Sequence, residues 1–117
     1  MRVPRRLSMT RRNEFARVRR EGKSVSGRYF VMATHAEPSV EHLKVGLITS
    51  RRVGKAVVRN KIRRRLRSLL SKHGDKLQSG RYLVMVARQR ACEATFQELE
   101  HEWLRLAGRL GVLKEDE

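Results

Sequence analysis

The chain has 117 residues, 39% of them hydrophobic but only 5% aromatic, and its 28 Lys and Arg against 12 Asp and Glu leave a net charge of +16. That length holds one domain with a modest core of Leu, Val, Ile and Met, and the hydrophobic content excludes a disordered chain. A field this positive attracts nucleic acid or an anionic membrane, and membrane is the weaker candidate because no run of about 18 apolar residues occurs.

The charge is laid down in blocks. Residues 1–28 carry ten basic and two acidic side chains, a net of +8; residues 51–73 carry ten basic and none acidic, a net of +10; residues 91–117 carry three basic and seven acidic, a net of −4. Basic and acidic blocks therefore belong on different surfaces of one body spanning 1–117, with a basic N-terminal extension over 1–9 and an acidic C-terminal tail over 112–117. The start, Met1-Arg2-Val3-Pro4-Arg5-Arg6, has the charge of a signal peptide but no apolar stretch behind it, and Cys92 is the lone cysteine. Both features point to a cytoplasmic, reducing compartment.

In chain order, Thr10 to Arg20 reads as a first helix, with Thr10 as N-cap, Phe15 and Val18 on one face, and Gly22 ending it. Lys23 to Gly27 is a turn or a short irregular strand. Arg28 to Thr34 is a strand rich in aromatic and β-branched residues, and His35 to His42, with Pro38, is a loop closing a hairpin onto a second strand, Leu43 to Ser50. Gly46 inside that strand marks a bulge or a close approach. Tyr82 to Ala87 is a nearly continuous apolar run, as in a central strand. Thr95 and Glu98 form a capping box, and Phe96, Leu99, Trp103, Leu106 and Leu110 repeat at helical spacing, with the helix ending between Gly108 and Gly111. The expected fold is an α+β single-domain sandwich in the order α-β-β-α-β-α.

The remaining helix, from about Val53 to His73 with Gly74 as its C-cap, dominates the chain. Val58, Ile62, Leu66, Leu69 and Leu70 share one stripe; Asn60, Arg63, Arg64 and Arg67 fall opposite, and Arg59 and Arg65 lie at the borders. No Asp or Glu occurs from His42 through Gly74, and Arg59, Arg63 and Arg67 repel one another at i, i+4 by a few tenths of a kcal/mol per pair. Helices made only to be soluble intersperse Glu. The uncompensated repulsion implies an anionic partner, and Gly54 and Lys55 would add backbone N–H groups for a phosphate.

Chemistry by side chains finds little support. His35, His42, His73 and His101 are scattered away from metal-ligand spacing and read as solvated loop or helix-end residues, so no metal site is expected. Cys92 reads as a small buried residue or a strand end rather than a nucleophile. Gly54-Lys55-Ala56 lacks the earlier Gly and the Ser or Thr of a P-loop. Glu98 and Glu102 read as part of an exposed helix face. No catalytic residue is assigned to the protein. Tyr29, Phe30 and Phe15 are each either core or a stacking platform for a base.

Val53-Gly54-Lys55-Ala56-Val57-Val58-Arg59-Asn60-Lys61-Ile62-Arg63-Arg64-Arg65-Leu66-Arg67 closely resembles the signature helix of the bacterial ribonuclease P protein component. Asn13-Glu14-Phe15 with Glu21-Gly22-Lys23, Arg28-Tyr29-Phe30-Val31, Val45-Gly46-Leu47 and Gly80 to Arg88 resemble that family's other elements, so the similarity runs from about Leu7 to Leu110. The resemblance implies a left-handed β-α-β crossover through the basic helix, against the usual hand. It implies a holoenzyme, one protein with one RNA, in which the catalytic RNA hydrolyses the phosphodiester that releases the 5′ leader of precursor tRNA. Mg2+ would be held mainly by the RNA and the substrate phosphates. The RNA-facing positions would be Arg59, Asn60, Arg64 and Arg67, extended by Arg63, Arg51, Arg52 and Lys55. A leader-binding cleft would use Phe15, Phe30 and Val31, with Arg19 where the family often has a second aromatic and Ala33 where it can have another. Leader contact here would then rest more on charge than on stacking. The rival reading, from the charge alone, is a structural RNA-binding protein of the ribosome.

Overall fold

The computed structural model describes residue 9 and residues 12–114, so Thr10 as a helix cap, most of the basic extension and the end of the acidic tail lie outside the described residues. The elements are α1 (Arg12–Glu21), β1 (Lys23–Ser26), β2 (Phe30–Ala36), β3 (Leu43–Ile48), α2 (Ala56–His73), β4 (Arg81–Ala87) and α3 (Phe96–Leu110), with short 3-10 turns at Arg51–Val53, Gly74–Lys76 and Gln89–Glu93. The four strands form one sheet in the order β1-β2-β4-β3.

Of the two readings of Lys23 to Gly27 the strand is the one observed, and the expected hairpin changes. Lys23–Ser26 is a true strand, antiparallel to β2 with Lys23 opposite Thr34, so the hairpin of this sheet is β1–β2. β2 and β3 are not neighbours at all: β4 lies between them, antiparallel to β2 and parallel to β3. The apolar run Tyr82–Ala87 explains the insertion, since a strand buried on both faces is most stable in the middle of a sheet. The parallel β3–β4 pair is joined through α2, giving one β-α-β unit.

Alternation along each strand divides the side chains between two faces. On one face, Phe30 and Met32 of β2, Leu83 and Met85 of β4 and Val45 of β3 pack against Ile62, Leu66 and Leu69 of α2 and Leu99, Trp103 and Leu106 of α3. At roughly 1.5–3 kcal/mol per fully buried large side chain, this face supplies most of the folding drive. On the other face, Tyr82 and Val84 meet Val18 and Phe15 of α1, with Ala33 and Val86 partly buried beside them. Gly46 is a close-approach site: a Cβ there would lie 2.4 Å from the Phe15 ring, so α1 can sit on β3 only because the side chain is missing.

α2 ends at His73 as expected, but Gly74 has right-handed φ −61 and leads into the 3-10 turn instead of reversing the chain. α3 runs through Gly108 and ends at Gly111, whose φ of 73 is the left-handed conformation of a helix stop. The capping box is formed, with the Glu98 N–H donating to Thr95 Oγ1 at 3.1 Å and the Thr95 N–H donating to Glu98 Oε1 at 2.9 Å.

Candidate nucleic-acid interface

The basic surface starts where β3 ends. Arg51 and Arg52 are exposed on the 3-10 turn, and Gly54 then takes φ 149, a conformation that side chains disfavour. Lys55 is the N-cap of α2 and lies just before the first turn, with no side-chain cap and no acidic residue in that turn. The α2 N–H groups and dipole at this end are therefore open to an anion.

Along α2 the stripe behaves as its spacing requires. Ile62, Leu66, Leu69 and Leu70 are buried, Val58 is half-buried, and Asn60, Arg64 and Arg67 are exposed on the opposite side. Arg63, half-buried, donates to Asn60 Oδ1 at 3.4 Å, which holds the two side chains together. Among the described residues, no carboxylate pairs with Arg51, Arg52, Lys55, Arg59, Arg63, Arg64 or Arg67. Arg59 is half-buried, and its Nε is enclosed without a hydrogen-bond partner. Arg65 serves the fold instead, for its Nη1 donates to the Ala94 carbonyl at 2.6 Å and ties α2 to the loop before α3.

The second feature is a groove of about 320 Å³ between α1 and the exposed face of the sheet. Phe15, Val18 and Arg19 form its wall, and Val31, Ala33, Val84, Val86 and Ile48 its floor. Register brings the floor together, since Val31 is opposite Val86, Ala33 is opposite Val84, and Ile48 is opposite Val86 from the other side. Ile48 is 36% exposed at the mouth, and only Thr49 and Ser50 separate it from Arg51. Apolar groove and basic turn are thus continuous.

Phe30 is not in the groove. It is wholly buried on the opposite face, against the α2 and α3 core. Strand alternation forces this: once Val31 faces α1, Phe30 must face away, and there it sits opposite the small Ala87. Tyr29 lies beside α3, donating its hydroxyl to Glu98 Oε2 at 3.1 Å. Reading the chain by itself missed Val84, Val86 and Ile48 as groove residues. Their signal was the period-two alternation of β4 and an apolar residue at the end of β3.

The other charged groups serve the fold. Glu102, expected on an exposed face, is buried and accepts the backbone N–H groups of Arg28, Tyr29 and Phe30 at 2.6, 2.7 and 3.1 Å. His73, expected in solvent, is buried and stacks on Trp103, with Nε2 donating to Glu100 at 2.8 Å and Lys76 donating to Nδ1 at 3.2 Å. The Lys72 ammonium, with His73 behind it, holds the Glu100 carboxyl below the ordinary carboxylate range, and the Thr95 N–H, aided by the Tyr29 hydroxyl, does the same for Glu98. Cys92, expected buried or at a strand end, is exposed on the 3-10 turn and donates to the Gln89 carbonyl. Among the described residues no group of three or more His, Cys, Asp or Glu could hold a metal ion, and no helix is long and apolar enough to cross a membrane.

Fold and surface together define a class: a small basic α+β protein with an arginine face on α2 that finds no carboxylate partner among the described residues. Comparison with known proteins makes this particular. The family model described as Ribonuclease P matches residues 3–111. The ribonuclease P protein component of Bacillus pumilus is 33% identical over 96 residues, covering 82% of this chain and 81% of that one. The ribonuclease P protein of Staphylococcus aureus superposes with a TM-score of 0.85 at 26% identity, covering 92% of this chain and 98% of that one. For the Thermotoga maritima protein the TM-score is 0.77 at 25% identity, over 87% and 96% of the two chains. The chain belongs to the ribonuclease P protein component family, with the role in tRNA processing that this membership carries. Family membership decides against the ribosomal reading.

Proposed function

We propose that this chain is the protein half of a cytoplasmic ribonucleoprotein endonuclease, one protein with one RNA, that removes the 5′ leader of precursor tRNA. The catalytic RNA docks on the face of α2 formed by Arg59, Asn60, Arg64 and Arg67, extended by Arg63 and, at the mouth of the groove, by Arg51, Arg52 and Lys55. The leader lies along the groove, with Phe15 as its single aromatic contact, Val31 on the floor and Arg19 at the rim. The reacting phosphodiester belongs to the RNA partner's centre, where Mg2+ is held by RNA and substrate phosphates. No step is assigned to a side chain of this protein.

One observation carries this reading: the chain passes from Ile48, at the edge of an apolar groove, through the exposed Arg51 and Arg52 into a helix face of arginines without carboxylate partners among the described residues. The test is reconstitution with a bacterial ribonuclease P RNA and precursor tRNA at low Mg2+. Stimulated leader removal is expected, with no cleavage by the protein alone. Absence of stimulation would sink the reading, and cleavage without RNA would overturn the mechanism. Phe15→Ala is expected to weaken binding of leader-bearing substrate about tenfold while mature tRNA changes little, as loss of one stacked base predicts.

A further inference from the structure

Large apolar side chains are almost all withdrawn from solvent in this protein. Among the described residues only two are exposed, Ile48 at 36% and Val57 at 78%. They are not scattered: Ile48 lies three residues before Arg51 and Val57 two after Lys55, on either side of the basic turn. Ile48 is accounted for by the groove it edges. Val57 is not, for it packs against neither hydrophobic cluster. Local folding does not ask for it either, because a β-branched residue in an exposed helical turn is slightly less favourable than Ala.

Its position on α2 gives it a use. Steps of three, four, seven and eleven residues from Val57 reach Asn60, Lys61, Arg64 and Ser68, which form one row at helical periodicity, and all four are exposed. Val57 is therefore the first member of the outward row, between Lys55 at the N-cap and Arg64 two turns on. A partner that contacts both Lys55 and Arg64 spans about 13 Å of helix and covers Val57 on the way. The charge of that row selects RNA as the partner, yet most of an RNA surface matches a valine poorly. Phosphate set against methyl groups loses water and gains no hydrogen bond, and in a duplex the base faces are hidden by stacking. An unpaired, splayed-out nucleotide presents the broad apolar face that the side chain fits.

Resting on the reading that α2 docks on the catalytic RNA, we infer that Val57 seats against the face of one unpaired base of that RNA. The arginines supply an attraction that any polyanion would satisfy. Val57 adds a contact that needs an unstacked base at one place, so it favours the right RNA over other RNA of equal charge. Docking then has two parts, one that salt weakens and one that it does not.

The experiment measures the affinity of the full chain for a bacterial ribonuclease P RNA by filter binding across a salt series. Val57→Ala is expected to weaken binding about fivefold, as the loss of two partly buried methyl groups predicts, with the slope of log affinity against log salt unchanged. Val57→Ile, which keeps the apolar surface, should bind like the parent. Val57→Thr, of the same shape but with a hydroxyl, should lose about as much as Ala. On an unrelated structured RNA of similar length, Val57→Ala should lose less than about twofold, since only the ionic part operates there. Removing the contacted base from the catalytic RNA should cost the parent protein about fivefold and the Val57→Ala protein little further, so abasic substitution at unpaired positions locates the partner. No loss for Val57→Ala, a loss that lowers the slope, or the absence of any abasic position non-additive with it overturns the contact. Arg64→Ala separates the two ideas. If it lowers the slope while Val57→Ala costs nothing, the base contact alone falls. If Arg64→Ala leaves affinity and slope unchanged, the docking reading falls and takes the contact with it.

Discussion

α2 and α3 pack side by side on one face of the sheet, each with a buried apolar stripe, yet they treat charge in opposite ways. Every carboxylate in the middle of α3 has a partner: Glu98 caps the helix and receives the Tyr29 hydroxyl, Glu100 meets Lys72 and His73, and Glu102 holds three backbone N–H groups. On α2, Arg64 and Arg67 face outward and Arg59 is half-buried at their border, all three with no carboxylate partner among the described residues. The difference teaches how to separate charge that builds a fold from charge that serves a partner. Charge of the first kind finds its counterpart within the chain. Charge of the second kind is kept apart at a small cost in stability.

The sharpest way to break this comparison is Glu102→Ala. Three backbone donors at the β1–β2 turn lose their acceptor, and unfolding by urea should show a loss of about 3 kcal/mol, while RNA affinity per folded molecule is retained. A loss under about 1 kcal/mol would mean that water replaces the carboxylate and that α3 is not built on it. Next in size, Arg64→Ala and Arg67→Ala should each weaken RNA docking by about 1 kcal/mol and lower the salt slope by about 0.9, measured by filter binding across a salt series, with urea stability unchanged or slightly raised. A fall in stability instead would place these arginines among the groups that build the fold.

The smallest effect is on pH. Glu98 and Glu100 have folded-state pKa values below the ordinary 4.5, the first chiefly through the Thr95 N–H and the second chiefly through Lys72. Depressed carboxyls bind protons less readily when folded, so their contribution is complete above about pH 4.5 and is lost as pH falls through the folded values. Glu98 is exposed and Glu100 half-buried beside the solvated Lys72, so screening keeps the effect small. Glu100→Gln should flatten the acid limb of the stability profile, read from thermal midpoints below about pH 4.5. An unchanged limb would remove Glu100 from the account.

Much of this was legible along the chain because it is periodic. The stripe from Val58 to Leu70, the stripe from Leu99 to Leu110, the Thr95–Glu98 box and the apolar run of β4 each announce an element and its buried side. The sequence leaves β1 open between turn and strand, since Lys-Ser-Val-Ser is polar and gains its strand state only by pairing with β2. The groove was half legible. Phe15 and Val31 matched a familiar pattern and do line it, whereas Phe30 matched the same pattern and points the other way.

The sequence by itself determined the elements with strong periodicity, the uncompensated arginine face of α2 and the family to which the chain belongs, because composition and spacing are properties of a line of residues. Tertiary structure decided the rest. Placing β4 between β2 and β3 set which residues of each strand share a face, sent Phe30 into the core, and gathered Val31, Ala33, Val84, Val86 and Ile48 beneath α1. It also gave Glu102 and His73 their buried partners. Alternation tells that a strand has two faces, but the phase of that alternation is set by the neighbour it pairs with, and the neighbour is chosen by packing across the whole molecule.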